Sequence, residues 1–399
     1  MTATTITPII DRPQWAAEKT HHFGESVIRE MSRVAARYKA TNLAQGLPDF
    51  PCPDDLKDEA CKAIQDNINQ YSFTWGDTKF REAIVEKTQR TQGLTYDIDT
   101  EVTVTCGAAE ALNATLMALI NPGDEVIILE PFYENYIPNV ILAGGTPKFV
   151  KLNPSDWSID AEALSAAFTD KTKAILLNSP HNPTGRVFNQ DDLNTIASLC
   201  QQYNVVCITD EIYEHILYDN AEHVCMARLE GMRERTVVIN ALSKTYSITG
   251  WRVGYVLAPP PITHVIRKIH DFLTVCAPAP FQRAGVHALN LPESYYTHLN
   301  ELYADKRTRI MQTLNEVGIP FVEPKGAYYI LGDISKYGHA TDTEFCHWLA
   351  KEIGVAMVPG SGFFSNPEDG YGYARICYSK SSETLSKAHD QLLALKQHG

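Results

Sequence analysis

The chain has 399 residues, of which 44% are hydrophobic and 21% charged, a balance typical of folded globular proteins and far from that of disordered ones. The formal net charge of −13, without any run of Lys and Arg, argues against a nucleic-acid partner. The longest apolar runs have only the length of a strand, which predicts no membrane partner. The nine cysteines include no CxxC pair, and residues 1–15 show no signal-peptide pattern. Both features predict a cytoplasmic protein.

The first predicted elements are a polar N-terminal arm and a helix over 24–38, whose apolar residues share one face. In the loop 42–53 that follows, Gly46 and three prolines favour an extended, irregular path. A helix is predicted over 54–67. The aromatic stretch 70–76 then interrupts the helical pattern and leads towards the centre of the chain.

From residue 100 onward, predicted strands and helices alternate. The strands cover 102–105, 126–129, 147–150, 174–178, 205–209, 237–240 and 254–257. The helices between them cover 108–120, 161–168 and 191–203. This alternation of uncharged strands with helices indicates an α/β fold, in which helices cover both faces of a mostly parallel, seven-stranded sheet.

Candidate ligand-binding residues lie directly after predicted strands, where ligands of parallel sheets bind. They are Gly107, Tyr133, Asn182, Asp210, Tyr213 and Lys244. At Gly107 a glycine turn opens a helix, and the free N–H groups and dipole of a helix start suit an anion. The sequence therefore predicts a site at this edge of the sheet, with an anion-binding end near Gly107.

The character of the chain changes in its last third. A long polar helix over 295–317 precedes an aromatic strand at 327–331. A helix over 343–353, strands at 355–358 and 373–378 and a closing helix over 383–396 follow. We therefore predict a smaller α+β domain. The predicted division is 1–45 as an arm and helix belonging to the small domain, 46–290 as the large domain, and 291–399 as the small domain.

Lys244 is placed unlike a solubilising surface lysine, because Ser243 and Thr245 flank it and no other charge is near it in sequence. Burial would lower its pKa and make it a nucleophile for carbonyl groups, hence a candidate for a Schiff base. Arg252, eight residues further on, would suit a phosphate because the guanidinium can donate two parallel hydrogen bonds. The alternative is a buried lysine with a structural partner.

A second buried cation is predicted in the last strand, where Arg375 interrupts an apolar run. Burying an arginine is costly unless it meets an anion. The anion could be a substrate carboxylate. An internal salt bridge is the alternative that the sequence leaves open.

Several motifs together resemble a known family. They are Asn121-Pro122-Gly123-Asp124, Asn182-Pro183-Thr184-Gly185, Asp210-Glu211-Ile212-Tyr213, Ser243-Lys244-Thr245, Gly250-Trp251-Arg252-Val253-Gly254 and Ala374-Arg375. In this order, over residues 40–395, they resemble the class I/II aminotransferases of pyridoxal 5'-phosphate (PLP) fold type I. The stretches 42–50 and 69–71 are most similar to the glutamine/methionine/kynurenine aminotransferase branch. The resemblance implies an enzyme that moves an amino group between an L-α-amino acid and a 2-oxo acid by a ping-pong mechanism.

The resemblance also implies roles around the PLP ring. Lys244 would form the Schiff base with PLP and then shuttle the proton. Asp210 would pair with the pyridine nitrogen and keep it protonated, so that the ring acts as an electron sink. Tyr213 and Asn182 would hydrogen-bond the phenolic oxygen, and Tyr133 would stack on the ring. The residues taking part in the chemistry would thus be Lys244, Asp210 and Tyr213.

Further implied roles concern the phosphate and the substrate. The backbone N–H groups of Gly107, Ala108 and Ala109, together with Ser243 and Arg252, would bind the phosphate. The partner subunit's Tyr71 would also reach it, which implies a homodimer with shared active sites. Arg375 would bind the substrate α-carboxylate as a bidentate pair, with Gly46 and Asn182 beside it.

Two other enzymatic activities on the same scaffold stay open, and a non-catalytic alternative is also considered. The stretch 358–363 is more similar to aspartate-type aminotransferases, and a PLP-dependent cysteine-S-conjugate β-lyase would need the same lysine and electron sink. A non-catalytic, ligand-sensing member is the third alternative, against which the intact site residues argue. Because His264 and His270 have no carboxylate or cysteine in their company, we expect no metal site.

Overall fold

The computed structural model describes residues 15–398; residues 1–14 of the predicted polar arm, and Gly399, lie outside the described residues. Its helices are α1 (Val27–Tyr38), α2 (Asp54–Gln65), α3 (Thr78–Gln92), α4 (Gly107–Leu119), α5 (Tyr136–Leu142), α6 (Ala161–Ala167), α7 (Gln190–Gln202), α8 (Pro260–Leu273), α9 (Ala279–Leu289), α10 (Glu293–Val317), α11 (Asp342–Trp348) and α12 (Ser382–Leu392). Its strands are β1 (Thr41–Asn42), β2 (Val102–Thr105), β3 (Glu125–Glu130), β4 (Thr146–Lys151), β5 (Thr172–Asn178), β6 (Val206–Asp210), β7 (Thr236–Ala241), β8 (Gly254–Leu257), β9 (Tyr329–Asp333), β10 (Val355–Ala356), β11 (Val358–Pro359) and β12 (Tyr373–Cys377).

The main sheet has the order β2-β8-β7-β6-β5-β3-β4, seven strands in the described part of the chain. The pairs from β7 through β4 are parallel, whereas β8 runs antiparallel to both β2 and β7. The predicted mostly parallel, seven-stranded sheet is therefore confirmed. All seven predicted strands are present; two have the predicted ends, and the others differ by one or two residues.

Both faces of this sheet are buried, because successive residues of its central strands enter different cores. Val126 of β3 and Leu176 of β5 pack in one cluster, together with the apolar face of α4. Ile127, the residue after Val126 in β3, and Ile175, the residue before Leu176 in β5, pack in another cluster with α7 and the C-terminal elements. A strand buried on both faces has no solvent side, which explains why the sequence shows apolar runs there and no alternation.

The C-terminal part contains a smaller antiparallel sheet of order β11-β12-β9 within the described residues. The single strand predicted at 355–358 is wrong in detail. Its first half, β10, pairs with β1 near the N-terminus, while its second half, β11, pairs with β12. The helix predicted over 343–353 ends as α11 at Trp348 and continues as a π-helical turn, Leu349–Ile353. The domain boundaries given above stay a prediction.

Three features of the fold position the candidate site. Strands β5, β6 and β7 end side by side at Asn178, Asp210 and Ala241. Helix α4 begins directly after β2, at the same edge of the sheet. Strand β12 brings Arg375 towards this edge from the C-terminal sheet. None of the helices in residues 15–398 has the length and apolar character needed to cross a membrane.

Candidate active site

The candidate site is a cavity of about 240 Å³ at the carboxyl ends of the central strands. Most of the residues predicted from the sequence line it: Gly46, Ala108, Ala109, Tyr133, Asn182, Asp210, Tyr213, Ser243, Lys244, Arg252 and Arg375. Gly107 lies directly beside the cavity, against Arg252. Tyr71 does not line the cavity of its own chain, and its side chain is 80% exposed.

Lys244 is half-buried in the cavity wall, in the turn that follows β7. Its Nζ donates a hydrogen bond to the carbonyl oxygen of Gly46 at 3.0 Å and lies 5.8 Å from the ring centroid of Tyr213. The pKa of Lys244 is lowered to about 8, chiefly by loss of water around the ammonium and in part by the positive charge of Arg375. This is the direction expected from the sequence, and it makes the neutral, nucleophilic amine accessible close to neutral pH.

Asp210 is the last residue of β6 and is buried. Burial raises the pKa of Asp210 to about 6, although the Tyr136 hydroxyl, which donates to Oδ2 at 2.9 Å, acts in the opposite direction. Tyr136 begins α5, three residues after Tyr133. The sequence analysis did not single it out, because only the fold shows that its hydroxyl reaches Asp210.

Tyr213 and Gly46 form the side of the cavity next to Lys244. The hydroxyl oxygens of Tyr213 and Tyr329 are 3.1 Å apart, within hydrogen-bond distance. A Cβ atom added at Gly46 would lie 2.0 Å from Tyr329 Oη, so only glycine fits at this position. The Gly46 carbonyl also accepts from Tyr328 Oη at 3.1 Å, which fixes the loop that Lys244 contacts.

The anion-binding end predicted at the start of α4 has two sources of hydrogen-bond donors. Cys106, the N-cap residue, makes no side-chain cap, so the N–H groups of the first turn have no partner within the helix. Arg252 Nη1 donates to the carbonyl oxygen of Thr249 at 3.1 Å. A Cβ at Gly107, whose φ is +78°, would lie 2.5 Å from Arg252 Nη2. Glycine thus allows the guanidinium to approach the helix start, and Ser243 lines the cavity nearby.

Arg375 is fully buried, at 0% exposure. Nη1 donates to Asn182 Oδ1 at 3.0 Å and Nη2 to the carbonyl oxygen of Ala44 at 2.9 Å, while Nε has no partner. The guanidinium carbon also lies 4.4 Å from the ring centroid of Tyr329. In the described part of the chain its hydrogen-bond partners are neutral oxygens and no ion pair is formed, so an internal salt bridge does not explain this charge. It is free to bind an anion that enters the cavity.

The outer wall of the cavity was not predicted from the sequence. It is formed by Ser26, Ile28, Arg29, Gln45, Leu47, Glu134 and Asn135. Ser26 donates a hydrogen bond to the Glu134 carboxylate, which joins the start of α1 to the loop after β3. The only sequence signal was indirect: Glu134 and Asn135 follow Tyr133 in the same loop after a strand.

The expectation that His270 has no carboxylate in its company was wrong. His270 Nδ1 lies 2.9 Å from Glu110 Oε1, and its Nε2 lies 2.7 Å from the carbonyl oxygen of Thr74. Glu110 belongs to α4, 160 residues away along the chain. Since α4 packs on α8, the pair arises from tertiary packing, and no local pattern could have revealed it.

The side chains fit pyridoxal phosphate as a chemical set. The start of α4 with Arg252 suits the phosphate, as their close approach at Gly107 indicates. The buried Asp210 carboxyl suits the ring nitrogen, and the amine of Lys244 suits the aldehyde. Arg375, whose Nε has no hydrogen-bond partner, then remains available to bind a carboxylate of the substrate.

Comparison with known proteins agrees with this chemistry. The family model described as aminotransferase class I and II matches residues 38–392. The methionine aminotransferase of Escherichia coli is 36% identical over 385 residues, which cover 96% of this chain and 100% of that protein. The kynurenine–oxoglutarate transaminase of Dictyostelium discoideum is also 36% identical, over 96% of each chain.

A solved structure gives the same result for the fold. The N-succinyldiaminopimelate aminotransferase from Mycobacterium tuberculosis superposes with a TM-score of 0.93 at 36% identity, covering 95% of this chain and 100% of that one. The predicted fold class and the predicted branch of the family are thereby confirmed. The chain belongs to the class I and II aminotransferases, PLP-dependent enzymes that move an amino group between an α-amino acid and a 2-oxo acid.

Proposed function

We propose that Lys244, Asp210 and Tyr213 carry out the amino-group transfer in this cavity. The observation that carries the proposal is that a lysine with a lowered pKa, a buried carboxyl and an unpaired buried arginine converge on one cavity. When bound, PLP supplies an aldehyde that captures the amino group and a ring that withdraws electrons from the substrate Cα. Lys244 Nζ moves the proton at Cα, and Asp210 holds the proton on the ring nitrogen.

The remaining contacts that we propose orient the two reactants. The Tyr213 hydroxyl and the Asn182 amide hydrogen-bond the phenolic oxygen of the ring, and Tyr133 stacks on its face. Gly107, Ala108 and Ala109 at the helix start, with Ser243 and Arg252, hold the phosphate. Arg375 binds the α-carboxylate beside Asn182 and Gly46, and so directs the Cα–H bond towards Lys244. The adjacency of these side chains around the cavity supports the assignment.

We further propose a homodimer in which the partner subunit's Tyr71 reaches the phosphate. Support comes from an exposed apolar surface, here called the aromatic patch, formed by Tyr71, Phe73, Phe272, Leu273 and Val275. Its two segments adjoin, because His270 Nε2 contacts the carbonyl oxygen of Thr74. The patch also reaches the start of α4, where Cys106 Sγ lies 3.7 Å from the Cys276 carbonyl oxygen.

All nine cysteines are free thiols, which supports our proposal of a cytoplasmic location.

For the amino donor we propose an amino acid with an uncharged side chain, such as methionine. Ile28 and Leu47 supply apolar surface to the outer wall, and the carboxylate of Glu134 would repel an acidic side chain. The name of the Escherichia coli relative, a methionine aminotransferase, supports the same choice. Arg29 favours a second candidate, an aspartate-type specificity, because it is an exposed cation on this wall.

The test of the reaction is Lys244→Ala. We expect the purified variant to bind PLP without a covalent bond and to lose transamination, because one amine serves both as the covalent partner and as the proton carrier. The wild-type protein should show the visible absorbance band of the lysine-bound cofactor, and the variant should lack it. Full turnover by the variant would remove Lys244 from this role.

The test of the donor class is a panel of amino acids against one 2-oxo acid, read as kcat/KM. We expect neutral donors to exceed aspartate and glutamate in the wild type. The matched variant is Arg29→Ala, which should leave neutral donors unchanged. If acidic donors are preferred and Arg29→Ala lowers only their kcat/KM, the aspartate-type candidate is correct.

A further inference from the structure

Behind the proposed site lies a second group of buried charges that has no part in the mechanism so far. Asp210, Ile212 and Tyr213 line the main cavity, whereas Glu211 and Glu214 do not. These two carboxylates instead line a separate cavity of only about 10 Å³. The turn after β6 therefore presents its cofactor-facing residues on one side and two buried acids on the other.

Each carboxylate of this second group has its own cationic or hydrogen-bonding partners. Glu214 forms a buried ion pair with Lys87 of α3, the two side chains being 4% and 3% exposed. The same Glu214 oxygen, Oε1, also accepts a hydrogen bond from Asn240 Nδ2. Glu211 Oε2 lies 2.8 Å from His223 Nε2.

Glu211, Glu214 and His223 have the residue types of a metal site, and their ligand atoms lie within 4.8 Å of one another. The counter-charge is nevertheless already present, because Lys87 Nζ forms a buried ion pair with the Glu214 carboxylate. Burial alone would raise the pKa of Glu214, but the nearby Lys87 ammonium lowers it to about 2. Glu214 is thus a charged carboxylate held by a lysine.

The ion pair connects the parts of the chain that carry the proposed reaction. Glu214 lies within the turn 212–215 that follows β6, and its N–H donates to the Glu211 carbonyl oxygen at 3.0 Å. Asn240 lies near the end of β7, four residues before Lys244. One carboxylate is therefore bonded both to α3 and to the strand that leads to Lys244.

Hydrogen bonds between charged groups are shorter and stronger than those between neutral groups. If one partner of a buried pair is removed, the other charge stays buried without a counter-charge. Removing these charges from water costs desolvation free energy that apolar side chains in the same place would not cost. The turn after β6 does not need it for its backbone, since Glu211 N already donates to the Ile239 carbonyl oxygen at 2.9 Å. That backbone bond ties only the start of the turn to β7. What the cluster adds is a side-chain link from Glu214 to Asn240, near the end of β7, and to Lys87 of α3.

We propose that Glu214, through its bonds to Lys87 and Asn240, is a positioning residue for the transamination. It holds the Asp210–Tyr213 turn against the end of β7, so that the carboxyl of Asp210 and the amine of Lys244 keep their mutual geometry. The inference rests on the roles proposed above for Asp210, Tyr213 and Lys244. It adds a structural reason for Glu214, one of the two buried acids that follow Asp210 in the sequence.

The experiment is Glu214→Gln in the PLP-loaded protein, with wild type and Lys244→Ala measured beside it. We expect kcat to fall by roughly 10- to 100-fold with little change in KM, because misplacing a catalytic group by about 1 Å has effects of this size. We also expect a shift in the pH midpoint at which the visible absorbance of the bound cofactor titrates. A purely structural role would lower only the melting temperature of the protein.

The control is Asp219→Asn, which removes the acid that pairs with the buried Arg307 and with Lys325 and does not line the cavity. It should lower the melting temperature and leave kcat and the pH midpoint unchanged. If Glu214→Gln behaves like this control, the inference is wrong. If wild type itself shows no lysine-bound cofactor or no turnover, the proposed function fails instead, and the two failures are thus separate.

A double variant, Lys87→Met with Glu214→Gln, distinguishes the effect of lost positioning from the effect of an unpaired buried ammonium. It also provides the test if the single variant does not fold. It leaves no unpaired ammonium in the core, so the melting temperature should recover. A kcat that stays low, with the pH midpoint still shifted, supports positioning by Glu214. Wild-type values for both quantities would overturn it.

Discussion

At the residue scale, Lys244 and Asp210 show opposite pKa shifts with one physical cause. Burial disfavours the charged form of either group, so the pKa of Lys244 falls to about 8 and the pKa of Asp210 rises to about 6. Both groups thereby titrate closer to neutral pH than in water. The role proposed for Lys244 requires the neutral amine, which the lowered pKa makes accessible near neutral pH.

The shift of Lys244 predicts how fast the cofactor-free protein captures PLP at different pH values. The neutral amine is the nucleophile, so the rate should rise with pH and level off above about 8. An ordinary lysine has a pKa of about 10.4, so its capture rate would level off only above that pH. Stopped-flow absorbance on the cofactor-free protein measures this rate, and Lys244→Ala should show no covalent capture at any pH. A rate that still climbs tenfold per pH unit above 9 would contradict the lowered pKa.

Arg375→Lys tests the substrate class, because the α-carboxylate is the one group that every donor and acceptor shares. The swap keeps the charge and loses the planar fork, which is not conservative at a bidentate site. We expect kcat/KM to fall by roughly two orders of magnitude for all amino acids and 2-oxo acids alike, in line with ~2–5 kcal/mol for breaking a buried charge pair. A loss confined to one substrate would show that Arg375 reads side chains.

Site residues differed in how far the sequence could predict them. Asp210 and Lys244 were predictable because each follows a strand of the parallel sheet, where side chains converge by topology. Tyr329 lies in the aromatic strand that was predicted, but a one-residue change of register would turn its ring away, so its contact with Tyr213 was not. Tyr136 and Arg29 lie on helices, and only packing decides which helical residues face the cavity.

At the element scale, the start of α4 depends on glycine at Gly107. Its φ of +78° costs alanine about 1–2 kcal/mol, and an added Cβ would lie 2.5 Å from Arg252 Nη2. We expect Gly107→Ala to weaken PLP binding about tenfold or more, since hydrogen bonds to a charged group contribute about 1.5–3 kcal/mol each. Fluorescence titration of the cofactor-free protein gives the Kd.

The chain offers a matched control for this prediction in Gly93, the C-cap of α3. Its φ is +68°, and an added Cβ would have no heavy atom within 4 Å. Gly93→Ala therefore carries the same backbone strain without touching Arg252. It should lower the melting temperature and leave the Kd for PLP unchanged. Equal effects of the two variants on the Kd would show that backbone strain alone, and not the approach of Arg252, governs binding.

Strands were predicted better than helices, and the reasons are physical. The strands of the main sheet are short apolar runs between turns, so their pattern is strong. Helix α8 begins within Pro259-Pro260-Pro261, a run that suggests a loop, although proline suits the first turn of a helix. The sequence analysis gave no helix over α3, α5, α8 or α9. Residues 355–358 were assigned to one strand because nothing local shows that β10 and β11 join different sheets.

At the scale of the whole molecule, the site is complete only where distant parts of the chain meet. Arg375 of the C-terminal sheet donates to Asn182 of the large sheet's edge and to the Ala44 carbonyl oxygen of the N-terminal segment. The Lys244 ammonium contacts the Gly46 carbonyl oxygen of that same segment. No pattern within any one of these segments could have predicted the contacts, whereas the motifs of the family did place them at one site.

The proposed homodimer extends this argument to a second copy of the chain and yields a complementation test. Tyr71 is 80% exposed and lies outside its own cavity, yet the resemblance gives it a phosphate contact. If that contact is made across the interface, a mixed dimer of Lys244→Ala and Tyr71→Phe chains has one intact site. That site combines the lysine of the Tyr71→Phe chain with the tyrosine of the other chain.

We therefore expect co-expression of Lys244→Ala and Tyr71→Phe chains to give activity well above the sum of the separately purified variants at limiting PLP, where loss of a phosphate contact matters most. The control pairs Lys244→Ala with Asn182→Ala. Both residues line the same cavity of one chain, so mixed dimers of that pair hold no intact site and should regain nothing. Different affinity tags on the two chains, used in two successive purifications, isolate the mixed dimers. If they form and the Tyr71 pair regains no more activity than the Asn182 pair, Tyr71 does not act across the interface, because an intact site would have been present in every mixed dimer.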